Sequence, residues 1–457
     1  MIVASRIKEE FEIENIISQS MERMIKKCAD IYQGIPEWVD ANEHIKTINF
    51  AKSVCSETAR LAMLGTSIKI TGSKRADWMQ EIIDKEYSNI RRWTEYACAY
   101  GTIVLRFNGN NVEFYTPDEV YITDSDSDRI SGIVFVISEK VGKEEYYTKL
   151  EFQRFLPDGK YAISKRIYKG KSKNDLSEKV DIKKTPWNEE TEEAVIENLK
   201  YPLFSVIKMP QANNIDIHSC LSLPVFAEAI EELKDLDIAY SRNAKEIEDS
   251  KRLLLLDSDR LLATGAKIES YPQAFENAKK YLGLPDMVKN VYGDGANTFY
   301  QEINPNINTD QRITGINALL SQLGYKCGFS NGYFVFNESS GIQTATGVEA
   351  EQQRTIQFIK DVRDRLEDCL KYLIYSMDIL SDINDYAPKG AYEITCDFGD
   401  ITYNREEDRG RWWNYVIQGK VPAWKYFEKF EGMTEEEAKK MIEEAKPKEP
   451  RLFGDEE

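Results

Sequence analysis

The residues typical of metal and disulfide chemistry are scarce in this chain of 457 residues. It has two histidines, His44 and His218, which lie far apart and for which we expect ordinary structural roles. No Cys-x-x-Cys pair occurs. The seven cysteines are scattered and odd in number, which predicts free thiols in a reducing compartment, mostly buried as small apolar side chains. They are Cys28, Cys55, Cys98, Cys220, Cys327, Cys369 and Cys396.

Long hydrophobic runs and excess positive charge are also missing. No apolar run approaches the 18 or so residues that a membrane span needs, and residues 1–6 lead into a charged amphipathic helix rather than a signal sequence. We therefore expect no membrane association and assembly in the cytoplasm of the cell that makes the protein. The net charge of −18 argues against a chain that grips nucleic acid through a basic footprint. It does not exclude a protein past which DNA slides.

The composition indicates a soluble protein with an extensive polar or subunit-contacting surface. Apolar residues make up 42% of the chain and charged residues 30%, and there are 25 Tyr and 19 Phe. The length allows two to four structural regions with a sizeable core.

Hydrophobic periodicity predicts an N-terminal half in which helices precede strands. Helical spacing runs from Ile13 to Ile25, from Ile45 to Leu64 and from Ala76 to Gly101. Period-two patterns follow, with Asn108-Gly109 as a hairpin turn. We expect one antiparallel sheet over residues 102–208, from which the Lys- and Glu-rich residues 169–197 form a mobile excursion.

The second half is organised around residues 308–380. A helix is predicted from Leu223-Pro224 to about Asp249, and a small α/β insert follows. A second helix begins near Asp310 and stops near Gly324. A Gly-rich aromatic loop with a short extended segment separates it from a very long helix, for which Thr346 and Glu349 have the spacing of a capping box.

Sequence motifs that would indicate catalysis or metal binding are weak. Asp124-Ser125-Asp126-Ser127-Asp128 is similar to a calcium loop, but Arg129 and Phe135 stand where glycine and a bidentate glutamate are needed, so a solvated turn is the better interpretation. Asp235 and Asp237 lie on different faces of a helix, which favours a solvated or subunit-contact role over a metal site. We predict no catalytic residue, no metal site and no cofactor.

Three stretches of the second half carry motifs. Asp237 and Tyr240 belong to a Leu-Asp-x-x-Tyr sequence. The loop and the start of the long helix contain Gly328, Phe329, Gly332, Tyr333, Phe336, Gly341, Thr344, Thr346 and Glu349. Together with residues 419–438, these stretches resemble the portal proteins of tailed bacteriophages, particularly those of phages that infect Gram-positive bacteria. The loop and helix start resemble the most recognisable stretch of that family, although Gly347 stands where the family usually has glutamate, and residues 419–438 resemble its helical cap.

The resemblance implies an α+β portal fold. Its parts are a helical and antiparallel-sheet wing, a two-helix stem, a small α/β clip, a long wing-crossing helix and a helical crown. The implied regions are the wing (1–222), stem helix 1 (223–249), the clip (250–307), stem helix 2 (308–325), the tunnel loop (326–343), the long helix with a wing strand (344–402), and the crown with a C-terminal tail (403–457). The strand Tyr392–Phe398 would return to the wing sheet.

The resemblance also implies a function. A dodecameric ring at one capsid vertex would serve as the channel for packaging and ejecting double-stranded DNA. Its partners would be the terminase large subunit, the head–tail adaptor, and the major capsid and scaffolding proteins, and its location would be the virion. Asn337, Glu338, Ser339 and Ser340 would line the tunnel, with Arg312 and Lys326 as candidates for transient phosphate contact.

Two other interpretations stay open at this stage. Scattered carboxylates could serve a metal-dependent enzyme of phage origin that processes nucleic acid. The chain could also be an acidic assembly factor that is not itself the portal. A large ring without enzymatic turnover would distinguish the portal interpretation from both of these alternatives.

Overall fold

A computed structural model shows the architecture. It describes residues 2–39, 45–126, 129–142, 145–173, 175–249, 253–257, 288–291, 300–303, 309–335, 345–399, 405–431 and 433–444. Residues up to Cys396 form one compact unit, and residues from Asp397 onward form a second.

The described residues at the start of the first unit form four helices and one strand. They are α1 (Ile2–Phe11), α2 (Gln19–Gln33), α3 (Phe50–Ala62), β1 (Ser67–Thr71) and α4 (Lys74–Tyr100). The helices α3 and α4 agree with the predicted periodicity. The helix predicted from Ile13 begins later, because Glu12 has a positive φ of 55° and ends α1. The hydroxyl of Ser18 then caps α2 by accepting from the Met21 N–H.

The described residues that follow form nine strands, in two sheets rather than the single sheet predicted. In chain order they are β2 (Thr102–Phe107), β3 (Val112–Tyr115), β4 (Val120–Asp126), β5 (Arg129–Val141), β6 (Glu145–Phe155), β7 (Tyr161–Gly170), β8 (Glu178–Val180), β9 (Glu193–Ile196) and β10 (Phe204–Lys208). The small sheet has the order β10-β2-β3. The large sheet has the order β4-β5-β6-β7-β8, and β9 also pairs with β7. The predicted hairpin is confirmed as β2 and β3.

The chain changes sheets at a turn after β3. The side chain of Glu119 accepts from the Thr116 backbone N–H (3.2 Å) and hydroxyl (3.1 Å), and the Glu119 N–H donates back to the Thr116 carbonyl (2.9 Å). This closed turn redirects β4 away from the edge of β3. Asp124 and Asp126 belong to β4, so the described part of the predicted solvated turn is strand.

The two sheets and the helices share a continuous core. Val104, Tyr115 and Phe204 of the small sheet pack with Ile133 and Phe135 of the large one. On the other face of the large sheet, Ile7 of α1 packs with Val134, Leu150 and Phe152. Because neighbours along β5 point to opposite faces, the large sheet is buried on both sides.

Residues 169–197 are folded onto the large sheet, which corrects the prediction of a mobile excursion. Both β8 and β9 pair with β7, and Leu176 and Ile182 are buried. Lys149 on β6 donates to Glu190 (2.8 Å) and lies 4.9 Å from the Trp187 ring centroid. A few apolar and charged anchors therefore hold a segment whose composition is mostly polar.

The remaining described elements include the long helix. They are α5 (Ile230–Asp249), β11 (Leu253–Asp257), β12 (Val288–Val291), β13 (Tyr300–Ile303), α6 (Thr309–Lys326), α7 (Ala345–Asn384) and β14 (Glu393–Asp397). The 40-residue α7 confirms the long-helix prediction, and it packs on the small sheet and on α3 and α4. A short 3₁₀ turn at Ala227–Ala229 precedes α5. The strand β14 pairs with β1 in a separate two-stranded sheet, not with the main sheets as predicted.

The insert between α5 and α6 contains a three-stranded mixed sheet. β11 pairs in parallel with β12 and antiparallel with β13. The strand part of the predicted α/β insert is therefore confirmed, and the rest lies outside the described residues. The helices α5 and α6 pack against each other.

The second unit contains three short described helices, α8 (Arg405–Ile417), α9 (Ala423–Glu431) and α10 (Glu435–Glu444). Trp412 packs edge-on against Phe430 (6.1 Å between centroids). Thr434 and Glu437 form a capping box at the start of α10, because each side chain bonds the backbone N–H of the other.

The cysteines are free, and six of the seven are buried, as predicted. Burial raises the pKa of the Cys28 and Cys369 thiols to about 12. The half-buried Cys396 has a pKa raised to about 11, again chiefly by burial.

Candidate functional site

The predicted loop begins at a glycine-terminated helix end. Gly328 has a φ of +91° and donates to the Tyr325 carbonyl (3.2 Å), while Phe329 donates to the Gly324 carbonyl (2.9 Å). This pair of bonds satisfies the last carbonyls of α6 and needs a left-handed residue between them, which glycine supplies without strain. The chain therefore reverses after α6 and packs against α7.

Aromatic rings fill the inside of this reversal. Phe329 is fully buried, and its ring centroid lies 4.7 Å from Phe334, 4.9 Å from Tyr333 and 5.9 Å from Phe358 of α7. Phe334 also packs edge-on against Phe50 of α3, at 5.2 Å. These centroid distances are those of favourable aromatic pairs.

Polar contacts hold the same segment to three helices. The buried Ser330 and Thr355 exchange hydrogen bonds between α7 and the loop. Gly332 donates to the Ser321 hydroxyl of α6 (3.0 Å), and the Tyr333 hydroxyl donates to Glu57 of α3. Burial, aided by the Glu57 acceptor, raises the pKa of Tyr333, so the phenol stays protonated at neutral pH.

The structure thus brings four predicted motif residues, Gly328, Phe329, Gly332 and Tyr333, into one cluster, which we call the loop anchor (residues 327–335). The described residues of the predicted loop form a series of turns rather than an extended segment. Thr346 and Glu349 lie in the first turns of α7, where only the backbone is described. The predicted residues outside the described part of the chain are Asn337, Glu338, Ser339, Ser340, Phe336, Gly341 and Thr344.

Asp237 is buried, which corrects the expectation of a solvated face. Its carboxylate accepts from Trp38 Nε1 (2.9 Å) and from the Ile48 backbone N–H (3.0 Å). It therefore fixes the segment before α3 against α5. Asp235 and Tyr240 are exposed, so the two residues of the Leu-Asp-x-x-Tyr motif have different surroundings.

Arg312 and Lys326, the predicted phosphate contacts, are both paired with carboxylates of α5. Arg312 forms an ion pair with Glu246. Lys326 Nζ lies 2.6 Å from Glu232, which is buried and also accepts from Gln322 (3.1 Å). The positive charge of each side chain is thus partly offset within the α5–α6 pair.

Sequence reasoning missed two buried arginines that anchor α7. Arg363 donates to the carbonyls of Leu61, Ala62 and Leu64 at the end of α3, where a cation suits the helix dipole. Arg75 of α4 bonds Asp378 (2.6 Å) and Asp382 near the end of α7. The sequence signal for Arg363 was its position four residues after Ile359, which places it on the apolar face of the long helix.

A buried ion-pair network also escaped the sequence analysis. Arg106 of the small sheet lies 2.9 Å from Glu151 of the large sheet and 2.9 Å from Glu113. Burial alone would raise the pKa of Glu151, but Arg106 and then Lys149 outweigh it and lower the pKa to about 2. Burial lowers the pKa of Lys149, an effect that Glu151 partly offsets. The network joins the two sheets.

Among the described residues, no group of three or more His, Cys, Asp or Glu side chains is arranged to hold a metal ion. None of the described helices combines the length and the apolar character needed to span a membrane. His218 lies in a turn, where its backbone N–H donates to Asp216 (3.1 Å). His44 lies outside the described residues.

Comparison with known proteins assigns the family. The model of the family described as "Phage portal protein, SPP1 Gp6-like" matches residues 14–450. The chain therefore belongs to this family of phage portal proteins, as its motifs predicted. Portal proteins are structural rather than enzymatic components of the phage particle.

A solved structure titled "Virion of native gene transfer agent (GTA) particle" is similar over 95% of this chain and 99% of that chain, with a TM-score of 0.44 and 9% identity. The search of curated protein sequences gives no significant match.

Proposed function

We propose that the protein forms a dodecameric ring at one vertex of the capsid and serves as the channel for DNA packaging and ejection. The observation that carries this proposal is the match of the portal family model to residues 14–450, nearly the whole chain.

The arrangement of the described elements supports the regional assignment. The paired helices α5 and α6 flank the mixed sheet β11–β13 in sequence, as two stem helices flank a clip. We propose residues 1–222 as wing, 250–307 as clip, 326–343 as tunnel loop and 403–457 as crown and tail. The loop anchor would then hold the base of the tunnel loop against α3, α6 and α7.

The charge distribution suits a channel that does not retain DNA. Each subunit carries −18, so the assembled ring would repel the phosphate backbone at long range. Arg312 and Lys326 already share their charges with Glu246 and Glu232. Contact of these two side chains with phosphate would therefore be transient, and Asn337, Glu338, Ser339 and Ser340 would present neutral or acidic groups to the passing duplex.

The partners follow from the same role. The clip would dock the terminase large subunit during packaging and the head–tail adaptor afterwards. Assembly in the host cytoplasm would require the scaffolding and major capsid proteins. The finished ring would remain in the virion.

Light scattering and negative-stain imaging of the purified full chain test this proposal. The expected result is a ring with a central hole and about twelve times the 52.7 kDa subunit mass. Should the protein be monomeric alone, co-expression with scaffolding and capsid proteins is the second arm, and absence of a ring there would overturn the proposal. A small species that cleaves DNA when Mg²⁺ is added would instead support the enzyme interpretation.

A further inference from the structure

A small cationic pocket lies in the first unit, away from the loop anchor. It has a volume of about 150 Å³ and is enclosed by the start of β5, by β10 with the residues before it, and by the middle of α7. Its charged lining residues are Arg129, Lys208, Arg365 and Asp368. Three cations thus face one carboxylate in a chain whose overall charge is strongly negative.

The two guanidinium groups are available to a ligand. Within the described part of the chain, neither Arg129 nor Arg365 forms an ion pair with a carboxylate. Arg365 is exposed. The Lys208 side chain is nine-tenths buried, so its charge acts in a medium that screens it less than water does.

Aromatic and hydroxyl groups give the pocket a defined wall. The guanidinium carbon of Arg129 lies 5.8 Å from the Tyr372 ring centroid, within cation–π range. Tyr201 packs edge-on against Tyr372 at 4.8 Å. Ser205, which is buried, accepts from the Cys369 thiol (3.3 Å), and its own O–H remains able to donate. The Arg129 guanidinium therefore lies against the Tyr372 ring, although the residue as a whole is exposed.

The charge of the lining matches one ligand group in particular. The two arginines, which no described carboxylate pairs, bring a charge of +2 to the lining, and a phosphate monoester or inorganic phosphate carries about −1.5 to −2 near neutral pH. Guanidinium groups bind phosphate oxygens with paired N–H donors. The pocket has room for one such group or for several water molecules.

We propose that Arg129, Lys208 and Arg365 form a binding pocket for a phosphate group. The group could belong to free phosphate or to a nucleic-acid backbone, and the chemistry recognised is the same in both cases. The proposal concerns the single chain and does not depend on ring formation.

Thermal unfolding of the full chain in a phosphate series, at constant ionic strength with chloride as the balancing anion, tests the pocket. We expect phosphate to raise the melting temperature beyond the chloride reference, as a ligand of the native state does. Arg129→Gln and Arg365→Gln should each weaken the apparent affinity at least about tenfold, because each removes a charge-assisted contact.

Two further variants make the result specific. Asp368→Asn removes the one negative charge of the lining and should tighten binding several-fold. Arg92→Gln is the matched control, because Arg92 is an exposed arginine of α4 whose one hydrogen bond among the described residues is to Asn89 (3.2 Å). It should bind phosphate as the unaltered protein does.

A labelled duplex oligonucleotide, titrated with the same variants, distinguishes the sources. Equal losses for the duplex and for phosphate would identify a nucleic-acid backbone as the ligand, whereas unchanged duplex affinity would identify free phosphate. The proposal is overturned if phosphate stabilises no more than chloride, or if Arg92→Gln reduces the effect as much as Arg365→Gln. The proposal is also overturned if Arg129→Gln and Arg365→Gln respond to phosphate as the unaltered protein does.

Discussion

Ser330 and Thr355 are joined by three hydrogen bonds within the protein interior. The Ser330 N–H donates to Thr355 Oγ1 (2.8 Å), the Thr355 N–H donates to Ser330 Oγ (3.3 Å), and the two hydroxyls are 3.1 Å apart. Thr355 belongs to α7 and Ser330 to the loop anchor, so these bonds attach the loop anchor directly to the long helix.

Loss of this attachment should destabilise the protein. Thr355→Val keeps the shape of the side chain but leaves the Ser330 N–H buried without its acceptor, which costs about 1–3 kcal/mol. We expect a lower melting temperature and faster hydrogen exchange over residues 327–335. Thr355→Ser, which retains the hydroxyl, is the control, and equal effects of the two variants would contradict the assignment.

Gly328 and Gly332 provide a matched pair for the backbone of the loop anchor. Both have positive φ, +91° and +78°, but a Cβ at Gly328 would lie 2.7 Å from the Phe358 ring, whereas no atom of the described residues lies within 4 Å of one at Gly332. Gly332→Ala should lower the free energy of unfolding by about 1–2 kcal/mol, because it brings only the penalty of a left-handed backbone conformation for a residue with a Cβ. Gly328→Ala should cost clearly more, and similar melting temperatures for both variants would show that Phe358 yields freely.

Asp237 and Asp235 allow a second matched comparison, two residues apart on α5. Asp237→Asn replaces one of two carboxylate acceptors by an amide N–H₂ that faces a donor. We therefore expect the free energy of unfolding to fall by about 1.5–3 kcal/mol. Asp235 is exposed, and Asp235→Asn should change stability by about 0.5 kcal/mol or less. Thermal unfolding measures both, and hydrogen exchange at residues 45–49 should rise only for Asp237→Asn.

The Glu151 network predicts a pH dependence. The carboxyl has an ordinary pKa near 4.5 and a folded-state pKa of about 2. Its stabilisation is therefore complete above about pH 4.5 and is lost as the pH falls towards 2, because the unfolded chain then binds the proton more readily. Glu151→Gln should cost about 3–5 kcal/mol at neutral pH by leaving buried cations uncompensated.

The decisive measurement is the difference in melting temperature between the unaltered protein and Glu151→Gln across this range. It should shrink as the solution becomes more acidic. Glu113→Gln, at a carboxylate that also pairs with Arg106 but is 32% exposed, should show a smaller and flatter difference. A difference that stays constant with pH would rule out the proposed role of Glu151.

The sequence predicted local structure well and long-range pairing poorly. The strong periodicity of α4 and α7, and the turn at Asn108-Gly109, are properties of neighbouring residues. The partner of β14 and the division into two sheets depend on contacts between distant segments, which periodicity does not encode. Residues 169–197 show the same limit, because their few buried anchors are outnumbered by charged residues.

The candidate site shows why buried charges were missed. Along β6, Lys149, Glu151 and Gln153 alternate with apolar residues, a pattern typical of a strand with one solvated face. Arg106, Trp187 and Glu190 cover that face, so all three polar side chains are buried. Asp237 was misjudged for a similar reason, since its cover comes from Trp38 and Ile48, almost 200 positions earlier.

Burial keeps the thiols of this chain protonated, so the native cysteines should give little background in site-specific labelling. A maleimide reacts with thiolate, which burial suppresses at Cys28, Cys369 and Cys396. A cysteine introduced at a well-exposed position, such as Ile217→Cys at a residue that is 77% exposed, should react far faster than any native one. Distances between such labels on neighbouring subunits would then report the size of an assembly without removal of a single native cysteine.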